Sequence, residues 1–261
     1  MIQMDITTHV GCPIRCKFCP QDVLTEAYKK RGGDKLMRLP LFKTCIDKLP
    51  NPSEISFSGL AEPWMNRQCL DMMLYAHAQG HTILCYTTLQ GMDSRIPDLI
   101  KHIPFKYFSI HLPDSEGFSN MKITDIYLDT LKRAMEVIPN YSLMCMGTVH
   151  PDVLPLLDRH VESSEKGMHS RAGNISGMET VKHEGSLVCL SSNLRLDHNV
   201  LLPNGDVLLC CMDFKMEYIL GNLLEGSYED LCKSDMFEKV LSGLKDGEVL
   251  CRHCTRAGVL K

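Results

Sequence analysis

The chain opens on a period of two and then alternates it with the period of a helix. Ile2, Met4 and Ile6 recur at every second residue, the spacing of a short strand with one buried face. Leu39, Phe42, Ile46 and Leu49 then follow at helical spacing over 36–49, and Pro50 and Pro52 stop that helix. Strands are predicted at 54–58, at 81–88 with Ile83, Cys85 and Thr87 alternating, at 106–111 and at 142–149. Between them the pattern predicts helices over 66–80, closed by Gly80, over 94–102, over 123–138 and over 152–165. Residues 21–35 are polar, end in Lys29-Lys30-Arg31-Gly32-Gly33, and read as a surface loop. Five or six strand–helix units between residue 2 and about 170 predict an α/β fold with a parallel sheet, as a βα barrel shorter than the eight-unit form.

Beyond Ser170 the texture changes. Two apolar stretches, Leu194 to Leu202 and Val207 to Cys211, flank Pro203-Asn204-Gly205-Asp206, a strong hairpin signal. A helix is predicted over 228–241 through Leu231, Met236, Phe237 and Val240. The chain is therefore expected to divide into 1–170 and 171–261.

Composition narrows the class. The 261 residues are 44% apolar and 23% charged, ordinary for a globular protein. No apolar run approaches the ~20 residues that span a bilayer, and no basic-then-apolar signal segment precedes Cys12. A net charge of −4 without a basic block leaves no electrostatic footprint for nucleic acid. A cytoplasmic protein with neither membrane nor nucleic acid as partner is expected. Thirteen cysteines in such a chain indicate metal or redox chemistry rather than disulfides. Cys45, Cys69, Cys85 and Cys145 stand singly in apolar patterns and read as packed thiols, and the glycosylation matches at Asn140 and Asn174 read as chance.

Cys12, Cys16 and Cys19 share the loop after the first strand, spaced C-x3-C-x2-C. Three thiolates leave one corner of a 4Fe-4S cluster open, where a structural zinc site takes four ligands. A zinc knuckle or a disulfide cluster is the plainer reading of the triad alone. With Phe18 just before the third cysteine, the motif resembles the signature of the radical S-adenosylmethionine (radical SAM) enzymes. The resemblance implies that the open iron chelates SAM and that one electron from the cluster cleaves it to a 5′-deoxyadenosyl radical. It also implies a partial (βα)6 TIM-like barrel with SAM across its top and an electron donor such as flavodoxin or ferredoxin. Gly59-Leu60-Ala61-Glu62-Pro63 stands where the family has Gly-Gly-Glu, with Ala61 replacing a glycine and Glu62 keeping the carboxylate that would hold the methionine ammonium. A helix-capping acid is the plainer reading of Glu62. By the same resemblance Thr88 would meet the ribose and Ser109 the methionine carboxylate, while His111 lines the site or packs.

Cys189, Cys210, Cys251 and Cys254 form a four-thiolate set, enough to saturate a cubane. With Leu220-Gly221-Asn222-Leu223 the region resembles the SPASM and twitch extensions of the family, a small β-hairpin/helix domain holding an auxiliary 4Fe-4S cluster. Cys210 is preferred to Cys211 because the family ligand falls five residues after the hairpin glycine; Cys211 and Cys232 are the alternatives, and a zinc ribbon is the plainer reading. Size and motif order are similar to the twitch-bearing alcohol dehydrogenases of the family, the 2-deoxy-scyllo-inosamine dehydrogenases. That likeness implies oxidation of a secondary alcohol on a sugar or cyclitol, with Arg171 at the substrate hydroxyl and Asp213 as the base. Peptide epimerisation or thioether formation is the second chemistry, and a non-catalytic iron-sulfur or zinc binding protein the third reading.

Overall fold

The structure is a computed structural model that describes residues 1–163, 169–192 and 196–260. Strands β1 (Gln3–Ile6), β2 (Glu54–Phe57), β3 (Thr82–Thr87), β4 (Tyr107–Leu112), β5 (Tyr141–Cys145) and β6 (Val161–Ser163) lie side by side in chain order, all parallel. Parallel neighbours need crossovers. Helices α1 (Gln21–Arg31), α2 (Leu39–Ile46), α3 (Cys69–Ala78), α4 (Ile96–Ile100) and α5 (Asp125–Val137) supply them.

Every second strand residue faces those helices. Met4, Ile6, Ile55, Phe57, Ile83, Cys85, Phe108, Ile110 and Leu143 share one core with Phe42, Ile46, Met72, Met73 and Leu131. The packed thiols Cys45, Cys69, Cys85 and Cys145 are buried in it, as expected. The intervening positions are mostly polar, Asp5, Ser56, Tyr86, Ser109, His111 and Ser142, with Leu84 and Met144 the apolar ones among them. A parallel strand packed on both faces reads as a continuous apolar run. The polar alternation here therefore marks an inner face kept for a ligand.

Three predicted elements need correction. Residues 21–31 form α1 and not a surface loop: Leu24 and Tyr28, one turn apart, are buried in a second cluster with Val10, Leu60, Val200 and Phe214. Gly32, at φ 86°, ends the helix, and its N–H donates to the Tyr28 carbonyl. The helix predicted over 152–165 is a 3-10 turn, Leu154–Leu156, followed by β6; Pro155 interrupts the helical pattern, and 164 and 165 lie outside the described residues. The helix predicted over 228–241 is two, α6 (Tyr228–Leu231) and α7 (Asp235–Lys245). Ser227 caps the first in a capping box with Asp230, and Ser234 caps the second.

The C-terminal hairpin is continuous with the barrel sheet. Strand β7 (Leu187–Cys189) precedes it, and β8 (His198–Leu201) pairs in parallel with β1 on the edge opposite β2. Strands β9 (Asp206–Leu208) and β10 (Ile219–Asn222) then add antiparallel. Strand β11 (Ala257–Val259) pairs with β7 in a separate ribbon. Leu194, where the first hairpin arm was expected to begin, lies outside the described residues. No described helix is long and apolar enough to cross a membrane.

Asp206 fastens the hairpin to α1. Its buried carboxylate accepts two hydrogen bonds from Arg31 (2.7 and 3.0 Å), one from Asn204 (2.7 Å) and one from Asn222 (3.0 Å). Asn222 closes the Leu-Gly-Asn step singled out in the sequence. Replacing Asp206 by Ala leaves these donors facing each other, and we expect about 2–3 kcal/mol of lost stability, read from urea unfolding midpoints.

Candidate active site

The C-terminal ends of β1–β5 open into one cavity. Cys12, Cys16 and Cys19 line it together with Phe18, Gly59, Ala61, Glu62, Thr88, Ser109 and Arg171. The cysteine loop is held by a neighbouring turn. The Lys17 N–H donates to the Phe118 carbonyl (2.7 Å) and the Asn120 N–H to that of Ile14 (3.1 Å), while the Asp114 carboxylate accepts from the N–H groups of Phe118 and Ser119. Gly59 lies on the end of β1, and a Cβ there would stand 2.5 Å from the Ile6 carbonyl oxygen.

Glu62 is 4% exposed and carries four hydrogen bonds. Oε1 accepts from the Thr87 hydroxyl (2.6 Å) and the Trp64 N–H (3.3 Å); Oε2 accepts from the N–H and the hydroxyl of Thr88 (2.6 Å each). Burial raises its pKa to about 7, against the pull of these donors. The carboxylate caps the turn at Pro63–Met65, which is the plainer reading of it, and it also forms part of the cavity wall.

Phe18 stacks on His111, with ring centroids 5.5 Å apart. His111 lines the cavity, and burial lowers its pKa to about 4, so the ring is neutral near pH 7. Arg171 sits with φ 51°, followed by Ala172 at 54° and Gly173 at 83°, a left-handed run that L residues adopt only under constraint. The Arg171 Nε donates to the Phe18 carbonyl (3.3 Å), and its charge opposes the burial that raises the Cys19 thiol.

Asp213 is not brought to the cavity. It lines neither this one nor the next, and its carboxylate accepts the N–H groups of Glu217 (2.9 Å) and Tyr218 (2.8 Å), tying the turn that follows Cys210. Its place in the sequence, three residues past a predicted ligand, does not reveal that the chain turns back on it.

Cys189, Cys210, Cys251 and Cys254 line a second, apolar cavity. Cys211 lines both cavities and forms part of the wall between them, whereas Cys232 is exposed and lines neither. His198 reaches the second cavity and lies 3.0 Å from the buried Asp5 carboxylate. Burial lowers the His198 pKa, but the hydrogen bond and charge of Asp5 outweigh it and the net shift is upward.

The donor sets fit iron-sulfur clusters. Both cavities carry soft thiol ligands, and all thirteen cysteines are free. Burial raises the Cys16 and Cys251 thiols to about 12, so a cationic cluster would be what holds them as thiolates. Among the described residues no group of three His, Cys, Asp or Glu side chains stands close enough for one metal ion; a cluster several ångströms wide, with one thiolate per iron, does not ask for that.

Sequence reasoning missed Gln21, Tyr86, Met144 and Phe214 on the cavity wall. Tyr86 and Met144 carry a signal in retrospect, since they alternate with the core residues of their strands and so fall on the inner face. Gln21 and Phe214 carry none.

Residues 189–255 match the SPASM family model, an iron-sulfur cluster-binding domain, with bounds that enclose Cys189, Cys210, Cys251 and Cys254. No curated protein matches the sequence. Among solved structures, BtrN in complex with AdoMet and 2-DOIA is similar at 17% identity and a TM-score of 0.65, over 98% of this chain and 93% of that one. The anSMEcpe structure with bound AdoMet is similar at 11% and 0.58, over 98% and 86%. Streptococcus suis SuiB bound to precursor peptide SuiA is similar at 12% and 0.61, over 97% and 70%. At these identities the likeness is one of fold. The chain shares its fold with structures that hold AdoMet, and its matched C-terminal segment is an iron-sulfur cluster-binding domain.

Proposed function

We propose that the chain is a radical SAM oxidoreductase that oxidises a secondary alcohol carbon of a small hydroxylated molecule, a sugar or cyclitol. The observation that carries this reading is the pair of cysteine-lined cavities that share Cys211, the first of them lined also by Ser109 and His111 from the inner side of the sheet. Bound at Cys12, Cys16 and Cys19, a reduced cluster would supply the 5′-deoxyadenosyl radical from SAM, and a cluster in the second cavity would accept the electron that an alcohol oxidation releases. A reductant such as flavodoxin or ferredoxin would serve the first.

This chain's residues would do the rest. The loop from Gly59 to Glu62, with Thr88 and Ser109, would hold SAM through its carbonyl, carboxylate and hydroxyl groups. Arg171 would bind the substrate hydroxyl from the far wall. His111 takes the place that Asp213 does not fill: neutral, lining the cavity and stacked on Phe18, it would accept the hydroxyl proton. The BtrN fold with 2-DOIA supports the substrate class; the SuiB fold with a peptide supports the competing one.

The test incubates reduced enzyme and SAM with aminocyclitols, nucleotide sugars and peptides. One ketone formed per 5′-deoxyadenosine, from a hydroxylated ring alone, is the expected result; turnover on peptides alone overturns the substrate class. His111→Asn is expected to keep SAM cleavage and lose ketone at least 100-fold. Arg171→Lys is expected to raise KM about tenfold, and unchanged kinetics would remove it from the site. Because the His111 pKa lies near 4, kcat should stay flat from pH 8 to about pH 5 and fall only below that.

A further inference from the structure

Gln21 opens α1 two residues after Cys19 and is 5% exposed, and nothing above gives it a role. Its amide contacts three parts of the site. The Cys12 backbone N–H donates to Oε1 at 3.1 Å. Nε2 donates to the Leu60 carbonyl at 2.6 Å and to the Cys19 sulfur at 3.2 Å. The orientation is forced, because a backbone N–H can only donate and a backbone carbonyl can only accept. With Nε2 fixed toward Leu60, its second N–H is left for the sulfur.

No other side chain of this length serves all three. Leu or Met would leave the Cys12 N–H and the Leu60 carbonyl without their partners. Glu would keep the first contact, set a carboxylate against the Leu60 oxygen, and bring no donor to the sulfur. Leu60 is itself anchored, since its N–H donates to the Thr7 hydroxyl at 3.0 Å at the end of β1. One amide therefore joins two cysteines of the triad to the loop that carries Gly59, Ala61 and Glu62.

We propose that Gln21 is the positioning residue that couples the two halves of the SAM site, fixing the triad against the Gly59–Glu62 loop and tuning the triad cluster through the N–H directed at Cys19. This rests on the reading that the triad holds a cluster. Hydrogen bonds to ligand sulfurs stabilise the reduced, more negative state and raise its potential. Losing the Gln21 donor lowers the potential, and loosening the loop weakens SAM binding.

The test uses the full chain, reconstituted anaerobically, as wild type, Gln21→Met and Gln21→Glu. Iron per chain, the midpoint potential of the cluster whose paramagnetic signal changes on adding SAM, and SAM affinity are measured for each. Both variants are expected to keep wild-type iron, to show a more negative potential and to bind SAM at least tenfold more weakly, Gln21→Glu showing the larger shift in potential. Wild-type potentials and affinities in both overturn the proposal. Loss of iron from both does so too, since the residue would then serve assembly of the site rather than its tuning. A wild type with no signal that responds to SAM instead removes the underlying reading, which separates the two failures.

Discussion

Replacing Cys16 by Ala will remove about four irons per chain and all SAM cleavage while leaving the chain folded. Cys16 lies between the other two cysteines of the triad, and the charges of Cys19 and Cys12 add to the burial that raises its thiol. Two remaining thiolates cannot hold a cubane with one open corner. The fold should survive because the change removes one sulfur from a loop that backbone bonds to Phe118 and Asn120 hold independently. Cys189, Cys210, Cys251 and Cys254 are untouched, so about four irons remain. Iron and sulfide analysis with an assay for 5′-deoxyadenosine reads both effects. Undiminished iron in Cys16→Ala would show that the triad is not the ligand set.

Gly59→Val will cost more stability than any other substitution on the cavity wall, about 3 kcal/mol or more. Gly59 has φ 43°, and an added Cβ would stand 2.5 Å from the Ile6 oxygen and 2.6 Å from the Thr7 Cα. Both are backbone atoms at the end of β1 and cannot swing aside as a side chain would. A branched residue adds its own resistance to the left-handed region. Gly117→Ala is the control: its φ of 68° is also positive, but nothing lies within 4 Å of the new Cβ, and a loss of about 1 kcal/mol is expected. Urea unfolding of the three proteins gives the comparison. Equal losses for the two glycines would mean that dihedral preference, and not the contact with β1, fixes this loop.

The strands and most helices were legible because a single period ran through each. Met4 and Ile6 face the helices, as the opening alternation implied, and α5 occupies 125–137 within the predicted 123–138. The failures share a cause. In α1 the buried face is Gln21, Leu24 and Tyr28, with too few apolar residues to register against Lys29, Lys30 and Arg31. Over 152–165 the leucines imitate a helix that Pro155 prevents. At Ser234 a cap signal divides a hydrophobic run that looked continuous. The cysteine sets were legible through spacing, and the structure brings each set to one cavity. Asp213 and His111 could not be ranked from sequence, because what separates them is direction: one carboxylate is absorbed by two backbone N–H groups, while the imidazole faces the cavity beside Phe18. Gln21 was out of reach for the same reason, since its contacts run from α1 to a loop some forty residues away.

The central claim is tested most directly by reconstituting the wild-type chain with iron and sulfide under anaerobic conditions, reducing it with dithionite and measuring 5′-deoxyadenosine formed from SAM. About eight irons per chain and reductant-dependent deoxyadenosine are predicted. Zinc in place of iron, or intact SAM after reduction, would contradict the account and leave a metal-stabilised binding protein.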